Sequence, residues 1–278
     1  MVQTIPVLAV GLGGAIAVGQ VTGAGGTILG WVIIALGAVV YLVAFQFVAR
    51  HLPGAMNFYF YSSLALLFLM TGAWTALHGV ARSSALVMVT ALLAGAWARS
   101  GRTTLGVHVT IVLVAASAAS GLLAIEWDVI AGALPGIGPS RWPAAATWVL
   151  ACGLAVSPMT RVGPLLQPRD ATAIVVNVIA WSGLMAAVIL SAARGASAAE
   201  GALATIRTAT MSLGAVGAAW AGRFLPTAAA AWLAYPLLLV TGAKLIAADS
   251  RVSDASTMFV ALACYGAALA LVSRMKRK

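Results

Sequence analysis

The segment from Thr27 to Ala49 contains 23 consecutive residues without a charged side chain. About 20 apolar helical residues cross the hydrocarbon core of a bilayer. Similar apolar runs follow one another through the rest of the chain, separated by short polar interruptions. The composition agrees, because 62% of the residues are hydrophobic and only 8% are charged, whereas a soluble domain has about one quarter charged residues. The sequence therefore predicts an all-α protein, a polytopic integral membrane helical bundle.

About ten transmembrane helices fit into the 278 residues. Nine spans remain an alternative, because residues 1–49 contain no lysine or arginine to orient a first hairpin. The ten predicted spans are Ile5–Val21, Thr27–Ala49, Met56–Gly79, Ser84–Ala98, Thr104–Ile125, Ala144–Met159, Ala171–Ala193, Leu203–Ala221, Phe224–Ala247 and Ala255–Ser273.

Basic residues in the intervening loops predict the orientation, since loops on the cytoplasmic side carry an excess of lysine and arginine. With ten spans and both termini in the cytoplasm, ten basic residues fall on the cytoplasmic side and five on the other. The cytoplasmic group ends with the basic tail Arg274, Lys276, Arg277 and Lys278. Both termini are therefore predicted to be cytoplasmic.

Residues 1–278 are interpreted as a single transmembrane domain. The longest interruption, residues 126–143, contains Glu126, Asp128 and three prolines, and is predicted to be an interfacial loop. It would join two halves, 1–125 and 144–278, of five spans each and opposite orientation. Such an arrangement is typical of transporters built from inverted repeats, and in size the chain resembles the drug and metabolite transporters.

Several functional classes find little support in the sequence. The net charge of +10 comes from basic residues scattered singly between apolar runs, which does not indicate nucleic-acid binding. The three histidines form no metal motif. His78 and His108 are predicted at opposite faces and cannot share a haem; His51 and His108 are both predicted near the inner face, but single interfacial histidines are commoner than a haem site. No nucleophile elbow or phosphate-binding loop is present. We therefore expect no cofactor and no metal, and the sequence favours a protein that is not an enzyme.

A candidate ligand-binding site comes from ionisable residues placed inside or beside apolar segments. A charge at the bilayer centre costs about 2.5–3.5 kcal/mol on insertion scales, so such residues pair, extend to the interface or face a polar cavity. Arg207 and Lys244 are predicted at similar depth in consecutive helices. Asp249 and Arg251 follow Lys244 within two turns, and Asn177 lies at mid-depth in another span. One hypothesis is a pocket for an anionic group. The alternative is that Arg207 and Lys244 extend to the interface and Asp249 only caps or pairs.

The same C-terminal residues carry a resemblance. Lys244 near the end of one helix, then Asp249-Ser-Arg251, then Tyr265-Gly266 in the last helix form the pattern. It resembles the C-terminal part of a family of predicted bacterial multi-pass membrane proteins of unknown function, over roughly the last 80 residues. The resemblance implies a bacterial cytoplasmic membrane as location and supplies no activity.

Two functions follow as alternatives. The first is a small-molecule permease or exporter, which requires a continuous polar path. The second is a non-catalytic structural or scaffold subunit of a membrane complex, which requires a dry bundle rich in small residues. The expected partners are the lipid bilayer and either another membrane protein or a second copy of the chain, with no nucleic acid.

Overall fold

A computed structural model describes residues 24–48, 55–132, 142–157, 168–195, 200–224 and 228–275. These residues form ten helices and no strand. The predicted first span, Ile5–Val21, lies outside them. In chain order the helices are α1 (Ala24–Val43, continued by a π-helical turn, Ala44–Val48), α2 (Ala55–Ala76), α3 (Gly79–Ser100), α4 (Thr103–Ala119), α5 (Leu122–Ala131), α6 (Trp142–Ala155), α7 (Pro168–Gly195), α8 (Glu200–Phe224), α9 (Ala228–Lys244, continued by a π-helical turn, Leu245–Asp249, and a last turn, Ser250–Val252) and α10 (Ala255–Met275). The all-α prediction is confirmed for this part of the chain.

Six helices are long and apolar enough to cross a membrane: α1, α2, α3, α7, α9 and α10. The bent pair of α4 and α5 raises the number to seven if it forms one span, and α6 is shorter. Large apolar side chains point away from the protein on these helices. Leu239, Ile246 and Phe259 are 73%, 74% and 72% exposed. These are the features of an integral membrane protein, whose outer surface is stabilised by lipid contact. Ten spans and the location of the termini remain predictions.

The predicted loop 126–143 begins too early. Residues 126–131 are the second half of α5, which ends at Gly132 with a φ of +126°. Gly121, with a φ of +76°, interrupts the predicted fifth span so that α4 and α5 meet at 66°. Glycine adopts this left-handed backbone without the steric strain that a Cβ causes. The polar residues Glu126 and Asp128 suggested a loop, but both lie on a helix. Trp142 and Pro143 already belong to the first turn of α6, where proline is favoured.

The described residues form two compact units that divide within α3, between Leu93 and Ala94. In the first unit, α1 and α2 pack at glycines. A Cβ built on Gly30 would lie 2.5 Å from Thr75 Oγ1, and one built on Gly72 would lie 2.7 Å from the carbonyl oxygen of Gly30. The two backbones therefore approach as closely as glycine allows, which is how helices without a hydrophobic driving force associate in lipid.

In the second unit, α8 packs against α7, α9 and α10. Small residues again form the contact surface. The core between α8, α9 and α10 consists of Ala215, Ala219, Ala234, Leu238, Ala268 and Val272. A second cluster, Val129, Ala186 and Ile189, packs α5 against α7. The short helix α5 is thereby held beside the longer α7, with its C-terminal end near α8.

Candidate functional site

A cavity of about 370 Å³ lies between the end of α5, the N-terminal half of α8 and the end of α9. Its volume falls in the range of small-molecule sites, about 300–1,000 Å³. Apolar and ionisable side chains both contribute to its wall. The lining residues are Ala131, Gly132, Glu200, Leu203, Ala204, Arg207, Lys244, Ala248, Asp249 and Val252.

Asp249 is the centre of a polar cluster on one side of the cavity. It is 2% exposed, and its two carboxylate oxygens have different donors. Lys244 Nζ donates to Oδ1 at 2.6 Å, and Thr208 Oγ1 donates to Oδ2. A buried carboxylate is stabilised when both oxygens accept hydrogen bonds and one partner carries a positive charge. The cluster joins α8 to the end of α9.

The backbone of α9 positions this carboxylate. Residues five apart in a regular α-helix point about 140° away from each other. The turn from Leu245 to Asp249 is π-helical, and its i to i+5 hydrogen-bonding pattern places residues five apart over one another. Lys244 and Asp249 thereby reach the same face of α9 and meet.

Arg207 forms the other side of the cavity. It lies two turns inside α8 and is 8% exposed. Its Nη2 donates to the carbonyl oxygen of Gly132 at 2.6 Å, at the C-terminal end of α5. The carbonyl end of a helix carries partial negative charge and attracts a cation. Its Nε has no acceptor among the residues that the structure describes.

The charges of the inner wall do not cancel. Arg207 and Lys244 are two cations, and Asp249 is one anion whose oxygens are already bonded to Lys244 and Thr208. The net charge of these three groups is therefore +1. Glu200, the first residue of α8, lines the same cavity but is exposed, so that water screens its charge. The inner wall can accept a carboxylate or phosphate group beside Arg207, since a guanidinium binds planar anions through two N–H groups.

Three of the five predicted site residues lie together, and two lie elsewhere. Arg207, Lys244 and Asp249 line one cavity. Arg251 is exposed in the last turn of α9 and does not line it. Asn177 is buried in α7, where its Nδ2 donates to the carbonyl oxygen of Ala173 at 2.8 Å. Whether any of the five binds a ligand stays a prediction. Within the described ranges no group of three or more histidine, cysteine or acidic side chains is placed to hold a metal ion.

Three residues that contribute to the cavity or its polar cluster were not predicted from the sequence. Thr208 looks like an ordinary helical threonine, whose hydroxyl usually bonds its own helix. The carbonyl of Gly132 carries no side-chain signal, although the Gly132 position after an apolar run is a common helix end. Glu200 lies before the predicted span Leu203–Ala221 and interrupts no apolar run, so it gave no signal of a site. All three become visible once α5, α8 and α9 are packed.

In comparisons with family models, curated proteins and solved structures, no match to the chain was found. The C-terminal resemblance therefore remains a prediction.

Proposed function

We propose that this protein is a permease or exporter of a small organic anion, with the cavity beside Arg207 as its substrate site. The observation that carries this proposal is a buried guanidinium with no acidic hydrogen-bond partner, facing a cavity of about 370 Å³. A cation in that position raises the free energy of the folded protein unless an anion or a dipole compensates its charge. The Gly132 carbonyl and the electrostatic interaction with Asp249 compensate part of it, and the carboxylate or phosphate group of a substrate would compensate the rest.

The helices around the cavity support transport over static binding. Transporters commonly build their substrate sites from interrupted helices, because irregular backbone is tolerated in a membrane only where it lines a cavity. Here α4 and α5 are separated by a 66° bend, and the C-terminal end of α5 reaches the cavity. The second helix at the site, α9, contains a π-helical turn. The π-helical turn of α9 therefore lies at the cavity, together with the end of a helix, α5, that follows a break, and this favours a permease over a scaffold of regular helices.

The proposed arrangement in the membrane has ten spans and both termini in the cytoplasm of a bacterial cell. Nine of these spans overlap helices α1 to α10, with α4 and α5 together as one. Cysteine-accessibility labelling of single-cysteine variants in intact cells tests the arrangement. We expect a cysteine introduced at Lys278 to be protected from a membrane-impermeant reagent, and one introduced at Ser253 to react. Reaction at Lys278 would contradict the orientation.

Substrate binding is tested with purified protein in detergent and defined probes. Inorganic phosphate, benzoate and succinate are added separately, and the unfolding temperature is measured, since a ligand that binds only the folded state raises it. We expect at least one anion to raise the unfolding temperature of the wild type, and the uncharged amide benzamide to have no effect. The Arg207→Gln variant should lose the response, and Asp128→Asn, which changes an ionisable residue outside the cavity to its amide, should keep it.

Transport is then measured in proteoliposomes with the isotope-labelled anion that stabilises the protein. Uptake by the wild type and by Asp128→Asn, with none by Arg207→Gln, is the expected result. If no anion stabilises the wild type, or if Arg207→Gln responds as the wild type does, the cavity is not an anion site. Binding without uptake would instead favour a receptor or a scaffold subunit that is controlled by an anion.

A further inference from the structure

A second buried acid lies outside the cavity, in the middle of α5. Glu126 is 4% exposed. Its Oε2 lies 2.7 Å from Ser182 Oγ on α7, and its Oε1 has no hydrogen-bond donor among the described residues. A carboxylate with a single neutral donor is poorly compensated in an apolar surrounding. The groups around Glu126 therefore determine whether its side chain is more stable protonated or ionised.

The oxygen atoms around Ser182 indicate that state. Ser182 Oγ is 2.7 Å from Glu126 Oε2 and also 2.7 Å from the carbonyl oxygen of Val178. A serine hydroxyl has one proton to donate, so it cannot donate to both oxygens. Both short contacts are hydrogen bonds when Glu126 is protonated, because Oε2–H then donates to Ser182 Oγ and the serine donates to Val178. If Glu126 were ionised, the one proton of Ser182 would serve either Glu126 or Val178, and the other 2.7 Å contact would have no hydrogen between its oxygens.

The elements packed against α5 are α4, α6 and α7. From α6, the Cys152 thiol is the titratable group close enough to interact electrostatically with Glu126. From α7, Ser182 is the polar neighbour, and α4 adds no charged interaction among the described residues. On α5 itself, Asp128 follows two residues later. In this part of the chain no basic side chain interacts with Glu126 to hold it as a carboxylate.

The same short helix connects Glu126 to the anion cavity. Six residues after Glu126, the carbonyl of Gly132 accepts the hydrogen bond from Arg207. Glycines with positive φ, Gly121 and Gly132, bound α5 at both ends. A change at the contact between Glu126 and Ser182 alters how α5 is attached to α7. Since α5 is one continuous helix of ten residues, a displacement of α5 at Glu126 would also move the Gly132 carbonyl relative to Arg207.

We propose that Glu126 is a proton-binding site and that α5 couples its occupancy to the anion cavity. When the proton leaves, the O–H bond of the carboxylic acid breaks and water takes up the proton as hydronium. The Ser182 hydroxyl keeps its own proton and donates a hydrogen bond to the remaining carboxylate in place of the one to the Val178 carbonyl. The coupling rests on the proposed function, whereas the proton site does not. The expected role is to make anion binding depend on the proton, as in proton-coupled transport.

Infrared spectroscopy of the purified protein tests the proton site directly, since a protonated carboxyl group has its own carbonyl stretch. The chain contains only two glutamates, Glu126 and the exposed Glu200. Protein labelled with ¹³C at the glutamate carboxyl groups is titrated across the pH range in which it stays folded. We expect a glutamic-acid band that shifts with the isotope, disappears as the pH rises, and is absent from Glu126→Gln. Asp128→Asn should keep it, and Ser182→Ala should shift its frequency.

The Ser182→Ala variant keeps the experiment decisive if Glu126→Gln does not fold, because it changes the hydrogen bond without removing the carboxyl group. The proton site is overturned if no isotope-sensitive band titrates, or if the titrating band is unaffected by both variants.

Coupling is measured separately as the pH dependence of the stabilisation by the anion that binds the wild type. We expect Glu126→Gln to bind that anion with the pH dependence removed. Unchanged pH dependence in this variant would overturn the coupling. If no anion binds at all while the glutamate band titrates, the proposed function fails and the proton site stands. If an anion binds but no glutamate band titrates, the proton site fails and the proposed function stands.

Discussion

Lys244 Nζ lies 2.6 Å from Asp249 Oδ1, although the two residues are five positions apart on one helix. A regular α-helix would turn them to different faces, and the π-helical turn from Leu245 to Asp249 brings them together. The pair is largely withdrawn from solvent, with side chains 12% and 3% exposed. The local backbone of α9 therefore determines how two charged side chains of the cavity wall are paired.

Removal of the acid is expected to destabilise the protein. In Asp249→Ala, Lys244 loses its counter-ion and Thr208 loses its acceptor, and breaking a buried pair in this way costs about 3 kcal/mol. The measurement is unfolding of the purified protein in mixed micelles with increasing denaturing detergent. The double variant Lys244→Met/Asp249→Leu should recover most of the loss, because neither charge of the pair is left behind without the other. Equal losses in the single and double variants would show that the ion pair is not the reason.

The crossing of α1 and α2 should not tolerate a methyl group. A Cβ on Gly72 would lie 2.7 Å from the carbonyl oxygen of Gly30 and 2.8 Å from the main-chain nitrogen of Ile34. Backbone atoms cannot move aside as a flexible side chain can, so Gly72→Ala should lower the free energy of unfolding by about 1–3 kcal/mol. Thermal unfolding in detergent checks this. The control is Gly95→Ala, where a Cβ meets nothing within 4 Å, and a similar loss in both would contradict close packing as the cause.

Substitution of Gly121 should be costly for a different reason. A Cβ built there meets no atom of the described residues within 4 Å, but the φ of +76° is unfavourable for other residues. Gly121→Ala is expected to lower the free energy of unfolding by roughly 1–2 kcal/mol. Gly121→Asn should lower it by less, since asparagine tolerates this conformation better. The matched control is Gly153→Ala in α6, which also has open space but lies inside a helix. That change should be neutral or stabilise by up to about 1 kcal/mol.

The start of α10 should be sensitive to acid. Asp254 Oδ1 accepts hydrogen bonds from the side chain of Thr257, from its main-chain N–H at 2.9 Å and from Ser256 Oγ at 3.1 Å. These bonds, the one from the Thr257 side chain foremost, lower the pKa of Asp254 below its usual range. Since the pKa of the folded state is depressed, the stabilisation is present above the unfolded value of about 3.9 and is lost as the pH falls through the lower folded value.

Unfolding temperatures of the wild type and of Asp254→Asn over a series of acidic pH values measure this effect. The asparagine keeps an oxygen acceptor for the cap but cannot be protonated, so the difference between the two proteins should shrink as the pH falls. A difference that is constant with pH would mean that the Asp254 carboxylate does not contribute through its charge.

Most of the helix positions could be predicted from the sequence. Each of the nine predicted spans after the first overlaps a helix, because an apolar run of about 20 residues has few alternatives in a bilayer. The break at Gly121 was not foreseen, since glycine is common within membrane helices and only its backbone angles mark the bend. The polar residues Glu126 and Asp128 then made the helix after the break look like a loop.

The candidate site was foreseen in part. Ionisable residues inside apolar segments are conspicuous, so Arg207, Lys244 and Asp249 stood out. Asn177 stood out for the same reason, but its side chain is bonded within its own helix. Thr208 and the Gly132 carbonyl gave no signal, because their roles depend on which helix lies opposite.

By itself, the sequence determined that the chain is helical and apolar enough for a membrane, because the composition leaves no other way to satisfy its backbone polar groups away from water. The tertiary structure decided which polar groups meet. Arg207 and Gly132 are 75 residues apart, Thr208 and Asp249 are 41 residues apart, and Glu126 and Ser182 are 56 residues apart. Hydropathy fixes the depth of a side chain and leaves its direction open. The direction follows from close packing at small residues and from the breaks at Gly121 and in α9.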